Sequence, residues 1–205
     1  ENYDYAISLK EGLDVVTAYH GRGEVWYKKG EYDKAILDFS KAIRNDEKSE
    51  KNYVSRGNAW CKRGEYENAI KDYKAAMHVA PEDPLGYSQL AWLLATCAED
   101  QYRDGKQAVE LAIKACELSK WNDAGSMNSL AASYAEVGDF ERAENYQKMC
   151  ILELDRKINK YDYTIRLKRY FARKPFRGEK VDREKQKKIE VPSNRFSEFL
   201  KTLEQ

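Results

Sequence analysis

The side chains best equipped for chemistry in this chain are two histidines, His20 and His78, and four cysteines, Cys61, Cys97, Cys116 and Cys150. Neither set stands in a spacing that chemistry uses. A zinc hydrolase needs two histidines one helical turn apart with a glutamate beside the first, and a zinc cage or redox dithiol needs cysteines in CxxC pairs. GxSxG and GxxxxGK[ST] are absent, so neither a nucleophile elbow nor a phosphate loop is offered. Asp104-Gly105-Lys106 resembles a phosphate loop only superficially and reads better as the N-cap of a helix over Lys106–Ser119. The cysteines read as small buried hydrophobes, with a Cys97–Cys116 bridge as the alternative that spacing leaves open. No enzyme activity, cofactor or metal is expected.

The elements that carry these residues are written twice. Tyr19, Arg22, Gly23, Trp26, Lys28, Gly30, Glu31, Tyr32, Ala35, Ile36, Asp38 and Ala42 recur 34 residues later as Tyr53, Arg56, Gly57, Trp60, Lys62, Gly64, Glu65, Tyr66, Ala69, Ile70, Asp72 and Ala76. A period of that length marks stacked supersecondary units that share a core with their neighbours. Apolar residues three and four apart make each half of the unit a helix. Gly30 and Gly64 fall where a helix must end, and the acids after them begin the next helix. Gly23 and Gly57 fall inside a helix, where glycine costs ~1 kcal/mol against alanine; the compensation read from the pattern is close approach of the facing Ala35 or Ala69. Pro81 stops the second unit.

This pattern resembles the tetratricopeptide repeat (TPR) family. The resemblance implies an all-α, right-handed superhelix (an α-solenoid) with a C-terminal capping helix. Its frame divides the chain into a half repeat over 1–15, repeats over 16–49, 50–83, 84–123 and 124–157, and a capping helix over about 157–173, all within an array of 1–175. The third repeat departs by an insertion around Cys97–Gly105. Residues 91–118, 130–140 and 166–177 are similar to a variant repeat, a following repeat and a cap found in bacterial TPR proteins, which favours a bacterial source.

The family's concave groove is lined by set positions of each repeat's first helix. Carried over, these are Thr17, His20, Glu24, Tyr27 and Lys28; then Lys51, Ser55, Asn58 and Lys62; then Ser88, Gln89, Trp92 and Thr96; then Asn128, Ser129, Ala132 and Glu136. Such a face offers amide pairing to a peptide backbone, lysines for carboxylates and rings for packing. The competing readings are a plain wet helix face for the polar set and a core tryptophan for Trp92. The family's carboxylate clamp for chaperone tails is not matched, because His20, Glu24, Ser55, Leu85 and Gln89 stand where lysine, asparagine and arginine are required.

Net charge is +1, yet residues 166–188 hold 11 Lys/Arg against 3 Asp/Glu. Glu179, Asp182 and Glu184 interleave with the lysines, which favours a solvated capping helix and a charged linker over a nucleic-acid interface. Within 176–205, Phe196, Phe199, Leu200 and Leu203 form one stripe of a short amphipathic tail helix, read as folding back on the array. No apolar run approaches a membrane span. The opening without methionine and in mid-repeat reads as an excised or processed segment, so the compartment stays open between cytoplasm and bacterial envelope. The function expected is a non-catalytic scaffold binding a protein or peptide in its groove. The alternatives are a self-associating or structural module of a larger bacterial protein or complex and, behind it, nucleic-acid binding by the basic segment.

Overall fold

The computed structural model describes residues 12–153, 161–177, 197–199 and 201, with side chains over 15–152, 163–177, 197–199 and 201. The half repeat over 1–15 and the tail positions Phe196, Leu200 and Leu203 therefore lie outside, or almost outside, the described residues. Every regular element described is helical: α1 (Gly12–Lys28), α2 (Tyr32–Asn45), α3 (Glu50–Arg63), α4 (Tyr66–Val79), α5 (Pro84–Thr96), a 3-10 turn (Asp100–Tyr102), α6 (Gly105–Leu118), α7 (Ala124–Glu136), α8 (Phe140–Glu153) and α9 (Tyr161–Phe171). They fall into two compact units, Glu1–Gly86 and Tyr87–Gln205.

In the first unit α1 packs against α2, α3 against α4, and α2 against α3. The two hairpins turn in the same way. Gly30 and Gly64 take left-handed backbones, at φ 81° and 84°. The Gly64 N–H reaches the Cys61 carbonyl at 3.1 Å and the Glu65 N–H reaches that of Trp60 at 2.9 Å. Those bonds satisfy carbonyls that the helix end would orphan. The mid-helix glycines are close-approach positions, but the neighbour is an aromatic ring and not the alanine expected. A Cβ on Gly23 would lie 2.7 Å from Phe39 Cε1, and one on Gly57 would lie 2.6 Å from Tyr73 Cε1. Phe39 is fully buried and Tyr73 nearly so.

The same hairpins carry a charged brace that the repeat reading quoted but did not pair. Arg22 Nε and Nη2 donate to the two oxygens of Asp38, both at 2.7 Å. Arg56 repeats the fork on Asp72 at 2.9 and 2.7 Å. Both carboxylates are buried. A planar guanidinium matches a carboxylate two-for-two, so the contact fixes orientation as well as charge.

In the second unit α6 packs on α7, α7 on α8 and α8 on α9. Ala91 of α5 joins Ala112, Cys116, Leu130, Ala131, Ala143 and Cys150 in one core cluster, closed by Tyr170 and Phe176. Asp104 caps α6 as expected, its side chain accepting from the Gln107 N–H at 3.0 Å. Between α6 and α7 the chain reverses through two non-glycine left-handed residues, Lys120 and Trp121. Trp121 stacks on Tyr146, which stacks on Tyr134. One described tail residue does fold back: Phe199 is buried against Ile151, Leu167 and Phe171.

All four cysteines are free thiols, so the Cys97–Cys116 alternative is not realised. Each of that pair is buried as a small hydrophobe in its own setting. Burial pushes Cys116 and Cys150 up to about 12. It raises Tyr27 to about 12 and holds Tyr73 and Tyr170 well above the ordinary phenol range.

Two outcomes follow from this packing. Gly57→Leu should cost about 2 kcal/mol or more through overpacking against Tyr73, read as a lower midpoint in urea; an unchanged midpoint would mean the ring yields freely. The buried thiols and phenols keep protons that the unfolded chain, titrating from pH ~9, gives up. Stability should thus be intact below pH ~9 and fall as pH rises from there toward 12. Melting temperatures that stay level to pH ~11 would show that the folded thiols titrate normally.

Candidate functional site

The residues expected to line a groove behave differently in the two units. In the first unit His20, Glu24 and Tyr27 recur at i, i+4 and i+7 on α1, with Lys28 beside them. Lys51, Ser55, Asn58 and Lys62 recur at i, i+4, i+7 and i+11 on α3. Each set is one stripe of its helix. Bonds between the helices put the stripes side by side. The His20 Nδ1–H donates to Asn52 Oδ1 at 2.7 Å, the amide oxygen being able only to accept. Ser55 Oγ donates to Glu24 Oε1 at 3.1 Å.

Within this paired face, roles divide. Asn58 Oδ1 accepts from the Tyr73 hydroxyl at 2.7 Å, so Asn58 spends its acceptor on the core. Tyr27 is half-buried with its ring edge-on to Tyr32. Lys28, Lys51 and Lys62 are exposed and, among the described residues, make no ion pair. Thr17 is exposed beside them.

In the second unit the corresponding positions are covered. Asn128 is buried and accepts from Arg166 Nη1 at 3.1 Å. Ser129 is buried and donates to the Gly125 carbonyl, and Ala132 is buried beneath them. Thr96 is buried and donates to the Trp92 carbonyl. Ser88 is buried and Gln89 half-buried on α5. The Trp92 ring lies 5.8 Å from Phe176, with the Arg166 guanidinium 4.9 Å above it. Glu136 takes two guanidiniums, Arg103 Nε at 3.1 Å and Arg177. Burial and the neighbouring Arg103 lower the Arg177 pKa from its ordinary value, with Asp100 opposing them.

Sequence reasoning missed this constellation because it counted Arg166, Arg169 and Arg177 as part of a basic segment. All three are less than fully exposed. Arg166 and Arg169 lie against Phe176, and Arg177 lies on Glu136. The available signal was the mixture of aromatic and arginine residues over 166–177, which differs from the lysine-rich stretch after it. No cluster of His, Cys, Asp or Glu that could hold a metal occurs among the described residues. No described helix is long and apolar enough to cross a membrane.

Tandem helical hairpins packed each on the next define a helical repeat protein. Tetratricopeptide repeat profiles match residues 16–49 and 124–152, and a TPR repeat profile matches residues 57–95. The chain is a tetratricopeptide repeat protein. The stretch between the last two of these matches, 96–123, holds the departure noted in the third repeat. No curated protein matches the chain.

Among solved structures, a chain of the APC/C hetero-tetramer Cut9–Hcn1 is similar with TM-score 0.65 and 18% identity. The match covers 77% of this chain but 29% of that one, so this chain spans under a third of its length. PilW, a widely conserved type IV pilus biogenesis factor, is similar with TM-score 0.60 and 15% identity over 79% of this chain and 77% of its own. MamA is similar with TM-score 0.57 and 19% identity, over 74% of this chain and 84% of its own. These likenesses establish the fold. The fold is in general that of a non-catalytic scaffold for protein interaction.

Glu136→Gln should leave the Arg103 and Arg177 guanidiniums facing each other with only the exposed Asp100 to balance them. The expected loss is roughly 2–3 kcal/mol, below the ~3–5 kcal/mol of a fully buried broken pair because both arginines keep some water. Urea unfolding checks it; an unshifted midpoint would mean Glu136 does not organise this face.

Proposed function

We propose that this protein is a non-catalytic scaffold that captures an acidic peptide segment on the face made by α1 and α3. The observation that carries the reading is the set of exposed lysines, Lys28, Lys51 and Lys62, standing unpaired on two stripes already tied together by the His20–Asn52 and Glu24–Ser55 bonds. Ordering the stripes in advance lowers what a ligand must spend on fixing side chains. Glu24, the acid on this face, accepts from Ser55 and keeps its charge, and the three lysines outnumber it. Lysines at the rim favour carboxylates through steering and through exposed ion pairs worth ~0.2–1 kcal/mol each. Tyr27 adds a half-buried ring beside Lys28 for an apolar side chain of the ligand.

The engagement of Asn58 with Tyr73 changes which variants report on binding. Asn58→Ala would disturb the hairpin core, whereas Lys51 and Lys62 are exposed and can be reversed without touching it.

On an array of end-blocked peptides, acid-rich sequences should be retained in preference to basic ones, with retention falling as salt is raised. Lys51→Glu with Lys62→Glu should weaken that binding about tenfold and leave the far-ultraviolet circular dichroism and melting temperature unchanged. An array without acid preference, or equal binding by the double variant, would refute the α1/α3 site. Concentration-dependent mass with no peptide binding would favour the self-assembling alternative instead.

A further inference from the structure

The face of α5 and α7 in the second unit is already occupied, and its occupant is a short extended piece of the same chain. After α9 the backbone turns at Arg173, a non-glycine residue at φ 56°. The Lys174 N–H bonds back to the Arg169 carbonyl at 2.9 Å, and residues 174–177 then run on without regular structure. Arg169 Nη1 donates to the Pro175 carbonyl at 3.4 Å. The Phe176 ring is 7% exposed. It lies 5.8 Å from the Trp92 ring, under the guanidiniums of Arg166 at 5.3 Å and Arg169 at 5.8 Å. Arg166 is itself steadied by Asn128 at 3.1 Å. Arg177 sits on the Glu136 carboxylate, which Arg103 holds from another side.

We propose that the α5/α7 face is a second binding site, specific for an extended segment with an aromatic residue followed by arginine, and that residues 174–177 fill it in cis. The ligand class is a basic peptide of that pattern supplied by a partner in trans. The contacts carry this. The contacts to 174–177 are those of peptide recognition: one ring in a pocket of Trp92 and two guanidiniums, one arginine on a carboxylate, one backbone carbonyl on an arginine. A tether of a few residues gives the cis segment a millimolar effective concentration, so a trans ligand must be tight or arrive when the segment is weakened. This site differs from the α1/α3 face in place and in the sign of its ligand, and its failure would leave the acidic-peptide reading standing.

The test uses the full chain with Phe176→Ala and Arg177→Ala, and a labelled, end-blocked peptide copying residues 172–179. Fluorescence anisotropy should show saturable binding to the variant, at least about tenfold tighter than to the unaltered chain, in which the cis segment competes. The peptide should also restore part of the melting temperature that the variant loses, and a copy with alanine for the phenylalanine should do neither. If the double variant does not fold, Arg177→Glu keeps the phenylalanine anchor and turns the arginine contact into repulsion from Glu136; the same peptide should bind it more tightly than the unaltered chain. Absence of saturable binding to a folded variant, or equal binding to variant and unaltered chain, would overturn the proposal and make residues 174–177 a fixed part of the core.

Discussion

Each hairpin of the first unit depends on an aromatic ring packed against a glycine. Phe39 over Gly23 and Tyr73 over Gly57 leave less room than one methyl group would need. That contact brings the two helices of a hairpin together, so that alanines such as Ala35, Ala59, Ala69 and Ala76 can fill the rest of the interface without voids. The ~1 kcal/mol that a helical glycine costs is offset by burying a ring that no larger residue would admit. From Tyr73 the constraint passes outward, since its hydroxyl fixes Asn58 on the neighbouring helix and meets Cys61. The polar face of α3 is therefore set partly by the core beneath it.

The second constraint is electrostatic. The Arg22–Asp38 and Arg56–Asp72 forks bury carboxylates between the helices of one hairpin. A buried charge pair adds little net stability against a well-packed apolar pair, but it strongly penalises misregistration, because a slip would leave a charge without its partner. The ring sets the distance between the helices and the fork sets their register. Together they hold the α1 and α3 stripes where the His20–Asn52 and Glu24–Ser55 bonds can form.

The second unit uses similar chemistry for closure. Arginines of α9 and the segment after it lie on Trp92, Phe176 and Glu136, so a stretch that looks like a basic tail is packed against α5 and α7. Two faces built at equivalent positions thus differ in availability: one presents unpaired lysines, and the other is filled by the chain that follows.

The helical hairpins, their ends at Gly30 and Gly64 and the family were legible in the residues, because helix periodicity, left-handed glycines and a fixed period are local properties that each repeat states for itself. The close approach at Gly23 and Gly57 was legible too, but not its partner. A ring four residues beyond the facing alanine reaches the glycine only through its rotamer, and spacing does not encode rotamers. The Arg22–Asp38 pairing was present as a repeated offset without a reason to join the two. What only the tertiary structure decided is which candidate residues stay open. Lys51 and Lys62 remain in water while Asn128 and Trp92 are covered, because burial at a repeat position depends on what the distant chain, here Arg166 to Arg177, lays over it.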